Sequence, residues 1–187
     1  IQEVLRISGA DIRDVTASAG ARDPRANLLA KLRFVATDPV RGAGVAWQRL
    51  QVHRRVASTA DRIAETTGLE RASIRARLHQ IEHHLAHAAS AFYWSPFERC
   101  CAFTNDGAGD FATTLWAECE GLDIRVIGRS RWPHSLGVFY TGVCQFIGFD
   151  RYGEEYKVMG LSAYGRNRFS ALMRQLVGYS RESGLRL

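Results

Sequence analysis

Three histidines fall within five positions in Gln80-Ile81-Glu82-His83-His84-Leu85-Ala86-His87, and small and apolar residues follow through Tyr93. His83 and His87 are four apart, so on an α-helix they project from one face, about a turn from each other. Two imidazoles held that way can grip one metal ion, as helical His-x-x-x-His sites do. A carboxylate is the natural third ligand, and Asp106 stands downstream in Thr104-Asn105-Asp106-Gly107-Ala108-Gly109-Asp110. Two imidazoles and a carboxylate suit iron or zinc better than magnesium. Taken alone, such a pair is more often packed core or surface histidines than a ligand set. His84 points elsewhere on the helix, as a structural residue or a hydrogen-bonding group beside the site. A zinc-protease reading fails, because that motif needs a Glu directly after the first histidine to activate water. Here that position is His84, and Glu82 is on the other side.

The Asp106–Asp110 stretch carries a second chemistry. A carboxylate at a strand end beside glycines can hold a divalent metal or a metal-bound phosphate. Exposed backbone N–H groups at Gly107 and Gly109, with the Thr113 hydroxyl, can receive phosphate oxygens. Hairpin turns use the same residues, and for Asp110 a turn role is preferred to that of a second site acid. Only two lysines occur, Lys31 and Lys157. Lys157 is either a phosphate counter-ion or the partner of a neighbouring glutamate. His134 is either an acid/base group or a residue of a helix-cap region.

Helices and hairpins must position these groups. Residues 1–8 read as the end of a helix, closed by Gly9, and 14–18 as a short buried strand. Asp23-Pro24 reads as an N-cap with Pro at the first helical position, ahead of Leu28 and Leu32. A turn-rich segment at 38–44 precedes a helix over about 46–67, with Val52, Val56, Ala60 and Ile63 as its apolar stripe and Gly68 as its stop. Residues 75–81 read as a strand entering the histidine helix. Residues 100–104 and 113–119 form a hairpin whose glycines supply unusual dihedrals, and 124–130 a third strand. Ser135 caps a helix over Leu136–Ile147. Another helix runs over 154–164, and the tail from Phe169 begins helical and then loses definition.

Composition bounds the rest. Apolar residues make up 46% of 187, the proportion of an ordinary globular chain. No apolar run is long enough for a membrane span, and the amino terminus has no signal-peptide pattern. The absence of an initiator Met suggests a piece of a longer polypeptide. Cys100, Cys101, Cys119 and Cys144 lack metal-type spacing and suggest a reduced, cytoplasmic setting. Residues 1–80 carry 14 Lys+Arg against 8 Asp+Glu, whereas 81–187 carry 11 of each. The basic excess therefore lies outside the His/Asp region, and its arginines are not interleaved with aromatics. A solvated face is expected, not a nucleic-acid groove.

Four stretches in order, His83–Tyr93, Asp106–Asp110, Pro133-His134-Ser135-Leu136-Gly137-Val138-Phe139-Tyr140 and Glu155-Tyr156-Lys157-Val158-Met159-Gly160-Leu161, resemble the amino-terminal half of the NodU/CmcH-type O-carbamoyltransferases. These enzymes modify nodulation factors, antibiotics and similar metabolites. The resemblance implies an α/β fold of the actin/Hsp70/sugar-kinase (ribonuclease H-like) type, a mixed sheet with flanking helices. Residues 1–79 would be a mainly helical lead-in, 80–165 the motif-bearing core and 166–187 an incomplete helical tail. It implies a metal, iron before zinc, on His83, His87 and Asp106. ATP would lie at Gly107, Gly109, Asp110 and Thr113, and His134 and Lys157 are the candidate catalytic residues. Carbamoyl phosphate and ATP would give a carbamoyladenylate, whose carbamoyl group passes to a hydroxyl of a small-molecule acceptor. Three family features have no counterpart here: an opening strand and loop of the nucleotide site, a fourth ligand (a downstream aspartate), and a carboxy-terminal carbamoyl-phosphate domain. The family's Pro in the last motif is also absent from Leu161-Ser162-Ala163-Tyr164-Gly165. The chain is therefore expected to be incomplete and, alone, inactive or weakly metal-binding. Two alternatives stand beside this reading: a tRNA threonylcarbamoyl-transfer-like ATP/metal protein, and a non-catalytic truncated binding module.

Overall fold

The computed structural model describes residues 2–44, 47, 51, 59–151, 153–180, 182 and 184–187. They divide into two compact units, Ile1–His83 and His84–Leu187. The division falls within the first turn of the histidine helix.

The first unit opens with α1 (Gln2–Ser8), stopped at Gly9, whose φ of +66° only glycine adopts at no steric cost. A 3₁₀ turn at Ile12–Asp14 is capped by Asp11, whose carboxylate accepts the Arg13 N–H. That turn displaces the expected strand: β1 is Ala17–Gly20, largely exposed. It pairs in parallel with β2 (Arg77–Gln80), from Ala17 opposite Arg77 to Gly20 opposite Gln80. Helix α2 (Leu28–Thr37) starts at Asn27. The Asp23-Pro24 signal makes only a turn, in which Asp23 Oδ1 accepts the Arg25 N–H. The same dipeptide does start a helix at Asp38-Pro39: residues 39–44 are helical, and Asp38 Oδ1 accepts the Arg41 N–H. The turn expected at 38–44 is thus a helix start. Of the long apolar stripe, Val52 and Val56 lie outside the described residues. Ala60 and Ile63 are buried on α3 (Thr59–Thr67), which Gly68 ends at φ +71°. Ile63, Ala64 and Ile74 form the unit's small core.

The second unit is built on an antiparallel meander, β3 (Arg99–Gly109), β4 (Ala112–Glu120) and β5 (Asp123–Arg131). Ala88 and Phe92 of α4 (His83–Phe92) pack with Leu115, Ala117 and Cys119 of the central strand. Each large apolar side chain so buried is worth about 1.5–3 kcal/mol. Helix α5 (Leu136–Phe146) packs beside β3. Helices α6 (Glu155–Ser162) and α7 (Ser170–Leu176) follow. The end of the chain forms a hairpin, β6 (Gly178–Ser180) and β7 (Gly184–Arg186), where the sequence showed no defined element.

The chain is mixed α and β, as expected. Its parallel and antiparallel pairings, however, lie in separate small sheets among the described residues, not in one mixed sheet.

Candidate metal centre

Strand β3 delivers Asp106 through an irregularity. Register with β4 runs regularly from Arg99/Glu120 to Asn105/Thr114, then shifts, resuming only at Gly109/Ala112. A bulge of this kind re-aims side chains at the end of a ladder. Asn105 fixes the last regular pair by accepting the Thr114 hydroxyl at 2.9 Å.

The start of α5 braces the bulge from behind. Ser135 Oγ accepts the Val138 N–H at 3.1 Å, as the N-cap read from the sequence, and donates to the Gly107 carbonyl at 2.6 Å. Gly137 sits so close that a Cβ there would meet the Asp106 carbonyl group at 2.6 Å and Gly107 N at 2.7 Å. That approach gives Gly137 a clear reason to be glycine.

The hairpin turn corrects a sequence expectation. Its positive φ angles belong to Asp110 (49°) and Phe111 (74°), not to Gly107 or Gly109. Both central residues of this two-residue turn are left-handed, as type I′ geometry requires. A buried Phe held there is a strained exception.

Against this frame, His83, His87 and Asp106 each offer a ligand atom within 4.8 Å of the others. His87 Nε2 lies 3.7 Å from Asp106 Oδ2. Their side chains are 53% and 30% exposed, so solvent or a further ligand can reach the centre. His83 heads the helix that carries His87, and its Nδ1 lies 3.4 Å from the Ala21 carbonyl. A tetrahedral ion about 2.1 Å from each of three donors needs them about 3.4 Å apart. Side-chain rotations that close the present separations by about 1 to 1.5 Å would meet that requirement, and the donor set is one that iron or zinc accepts.

His84 shows what the sequence left open. It is fully buried, with Nδ1 2.9 Å from Thr104 Oγ1 and Nε2 3.3 Å from Asp106 Oδ1. Of the two roles weighed for it, the contacts are those of a polar group beside the site. Its rank within the site had no signal in the sequence, because it depends on which strand the helix covers.

The remaining candidates are placed as follows. Gly107 accepts from Ser135, and Gly109 closes the hairpin opposite Ala112. Asp110 is in the turn, and both it and Thr113 are fully buried; the Thr113 hydroxyl donates to the His134 carbonyl at 2.6 Å. His134 Nδ1 lies 3.1 Å from the Leu187 carbonyl and 3.2 Å from its amide N. Lys157 Nζ is 2.5 Å from Glu154 Oε1, the ion-pair alternative read from the sequence. This contact raises the lysine's pKa and lowers that of Glu154. Glu155, held low chiefly by the Thr141 hydroxyl at 2.7 Å, ties α6 to α5. No helix among the described residues is long and apolar enough to cross a membrane.

Comparison with known proteins places the sequence in a family. The sequence profile described as "Carbamoyltransferase N-terminus" matches residues 44–187. An uncharacterised protein of Synechocystis sp. is 41% identical over 93 residues, covering 49% of this chain and 15% of that protein. The nodulation protein NolNO of Sinorhizobium fredii is 40% identical over 89 residues, 48% of this chain and 13% of that one. The nodulation protein NolO of Bradyrhizobium diazoefficiens is 37% identical over 108 residues, 57% and 20% respectively. Each match thus spans a fifth or less of the relative's length. With its profile matched over most of its length, the chain belongs to the carbamoyltransferase N-terminus family.

Proposed function

We propose that this chain is the metal-bearing part of an O-carbamoyltransferase that moves a carbamoyl group from carbamoyl phosphate, by way of a carbamoyladenylate made with ATP, to a hydroxyl of a small metabolite or sugar. The observation that carries the reading is the convergence of His83, His87 and Asp106 from a helix and a bulged strand. Family membership supports the transferase class. The actin/Hsp70-like frame belongs to the same proposal.

In the transfer step the acceptor oxygen attacks the carbamoyl carbon. The bond from that carbon to the adenylate phosphate oxygen breaks, AMP departs, and the hydroxyl proton passes to a base. A bound iron or zinc would act as a Lewis acid, offsetting the negative charge that grows on oxygen. The protein's own part is positional. The His87 and Asp106 side chains are accessible, so the substrate can reach them, while the bulge and Gly137 hold the Asp106 backbone in place. A phosphate would meet the backbone at Gly107 and Ala108, because Asp110 and Thr113 support the turn from inside. Lys157 would have to exchange Glu154 for a phosphate to act as a counter-ion.

The test is carbamoyl transfer by the longer polypeptide containing this segment, with ATP, carbamoyl phosphate and a panel of hydroxylated acceptors. Asp106→Ala and His87→Ala are expected to lower kcat at least about 100-fold, the scale on which a transition-state charge stabiliser acts. Unchanged turnover in both would refute the reading. Activity with tRNA in place of metabolites would favour the threonylcarbamoyl alternative.

A further inference from the structure

The one buried histidine of the cluster has a polar contact on each side. Thr104 and Asp106 sit two apart on β3, so their side chains leave the same face of the strand. His84 fits between them, with Nδ1 2.9 Å from the Thr104 hydroxyl and Nε2 3.3 Å from Asp106 Oδ1. It is 0% exposed, whereas His87 is largely open to solvent. The two imidazoles divide the carboxylate between them, His84 facing Oδ1 and His87 facing Oδ2.

We propose that His84 is a positioning residue: it holds Asp106 Oδ1 from inside so that Oδ2 is presented to a cation shared with His83 and His87. The Thr104 hydroxyl, 2.9 Å from Nδ1, holds the ring so that its other nitrogen stays 3.3 Å from Oδ1. A carboxylate that binds metal through one oxygen needs its other oxygen held, and such supporting contacts are worth about 10- to 100-fold in metal affinity. Burial keeps the ring in one orientation, since no water competes for either nitrogen.

This inference rests on the metal-site reading above, and one experiment separates the two. Zinc affinity of the 187-residue chain is measured by chelator competition in wild type, Asp106→Ala, His84→Leu and His84→Gln. Leucine fills the cavity without polar atoms, while glutamine can reach toward Oδ1 with an amide N–H. Loss of zinc in Asp106→Ala, a loss of about 10- to 100-fold in His84→Leu, and recovery to within a few-fold of wild type in His84→Gln support the positioning role. Equal affinity in the two His84 variants, whether tight or weak, overturns it while Asp106→Ala still reports the metal site. Wild-type affinity in Asp106→Ala overturns the metal reading and this inference with it. If His84→Leu fails to fold, Thr104→Val carries the same test, and wild-type zinc affinity there overturns the role.

Discussion

Single residues show where the chain leaves no freedom. Gly137 is one: any Cβ would run into the Asp106–Gly107 backbone. Gly137→Ala is expected to lower stability by about 1–3 kcal/mol through overpacking and to weaken metal binding together with it. Thermal melts and zinc competition on the same variant check both effects. The cysteines divide by environment. Burial raises the Cys119 pKa, with the neighbouring Cys100 adding to it, and burial likewise raises that of Cys144. Cys101 is exposed. Iodoacetamide should therefore label Cys101 in the native chain, and Cys119 and Cys144 only after unfolding. Mass spectrometry of the two states reads this directly; native labelling of Cys119 would contradict the packing of the central strand. At this scale the i,i+4 spacing of His83 and His87 was legible, because helical periodicity alone brings the two rings to one face. The burial of His84 and Asp110 was not, since polar residues enter a core only when specific partners meet them there.

At the level of elements, the bulge of β3 and the start of α5 act as one unit through Ser135. Ser135→Ala removes both the cap and the partner of the Gly107 carbonyl, and should cost about 2 kcal/mol, read from denaturant unfolding. The outer face of the meander carries a cross-strand charge cluster in which Glu118 pairs with Arg99 at 2.8 Å and with Arg125. Arg99 first, and Arg125 next, hold the Glu118 carboxyl below its ordinary value of 4.5. Near and below that pH the unfolded chain binds more protons than the folded one at this site. The stabilisation is therefore present above about pH 4.5 and lost as pH falls through the lower folded value. Glu118→Gln should flatten the fall in melting temperature between about pH 6 and pH 3, and an unaltered slope would dismiss the cluster. Element identity was readable where helical spacing or a cap signal stood out, as in the histidine helix and at the Ser135 cap. It failed where one dipeptide served two ends: Asp23-Pro24 makes a turn and Asp38-Pro39 a helix start, since a cap signal works only when the residues after it continue as helix. The hairpin glycines misled for a related reason. Strands and turns both tolerate glycine, and here tertiary packing forces the left-handed angles onto Asp110 and buried Phe111.

For the whole molecule, family membership and the site geometry point the same way. The four ordered stretches seen in the sequence lie within the matched span, residues 44–187. Asp106 and the two histidines, about 20 positions apart in sequence, meet because the meander packs its central strand against the histidine helix. The most direct measurement is zinc or ferrous-ion binding by the 187-residue chain, followed by stoichiometry and affinity in His83→Ala, His87→Ala and Asp106→Ala. Wild type is expected to bind one ion per chain, and each variant to lose at least about 100-fold, the cost of removing one ligand from three. An ion bound equally well by all three variants would mean that these side chains do not share it, and the carbamoyl-transfer reading would lose its site.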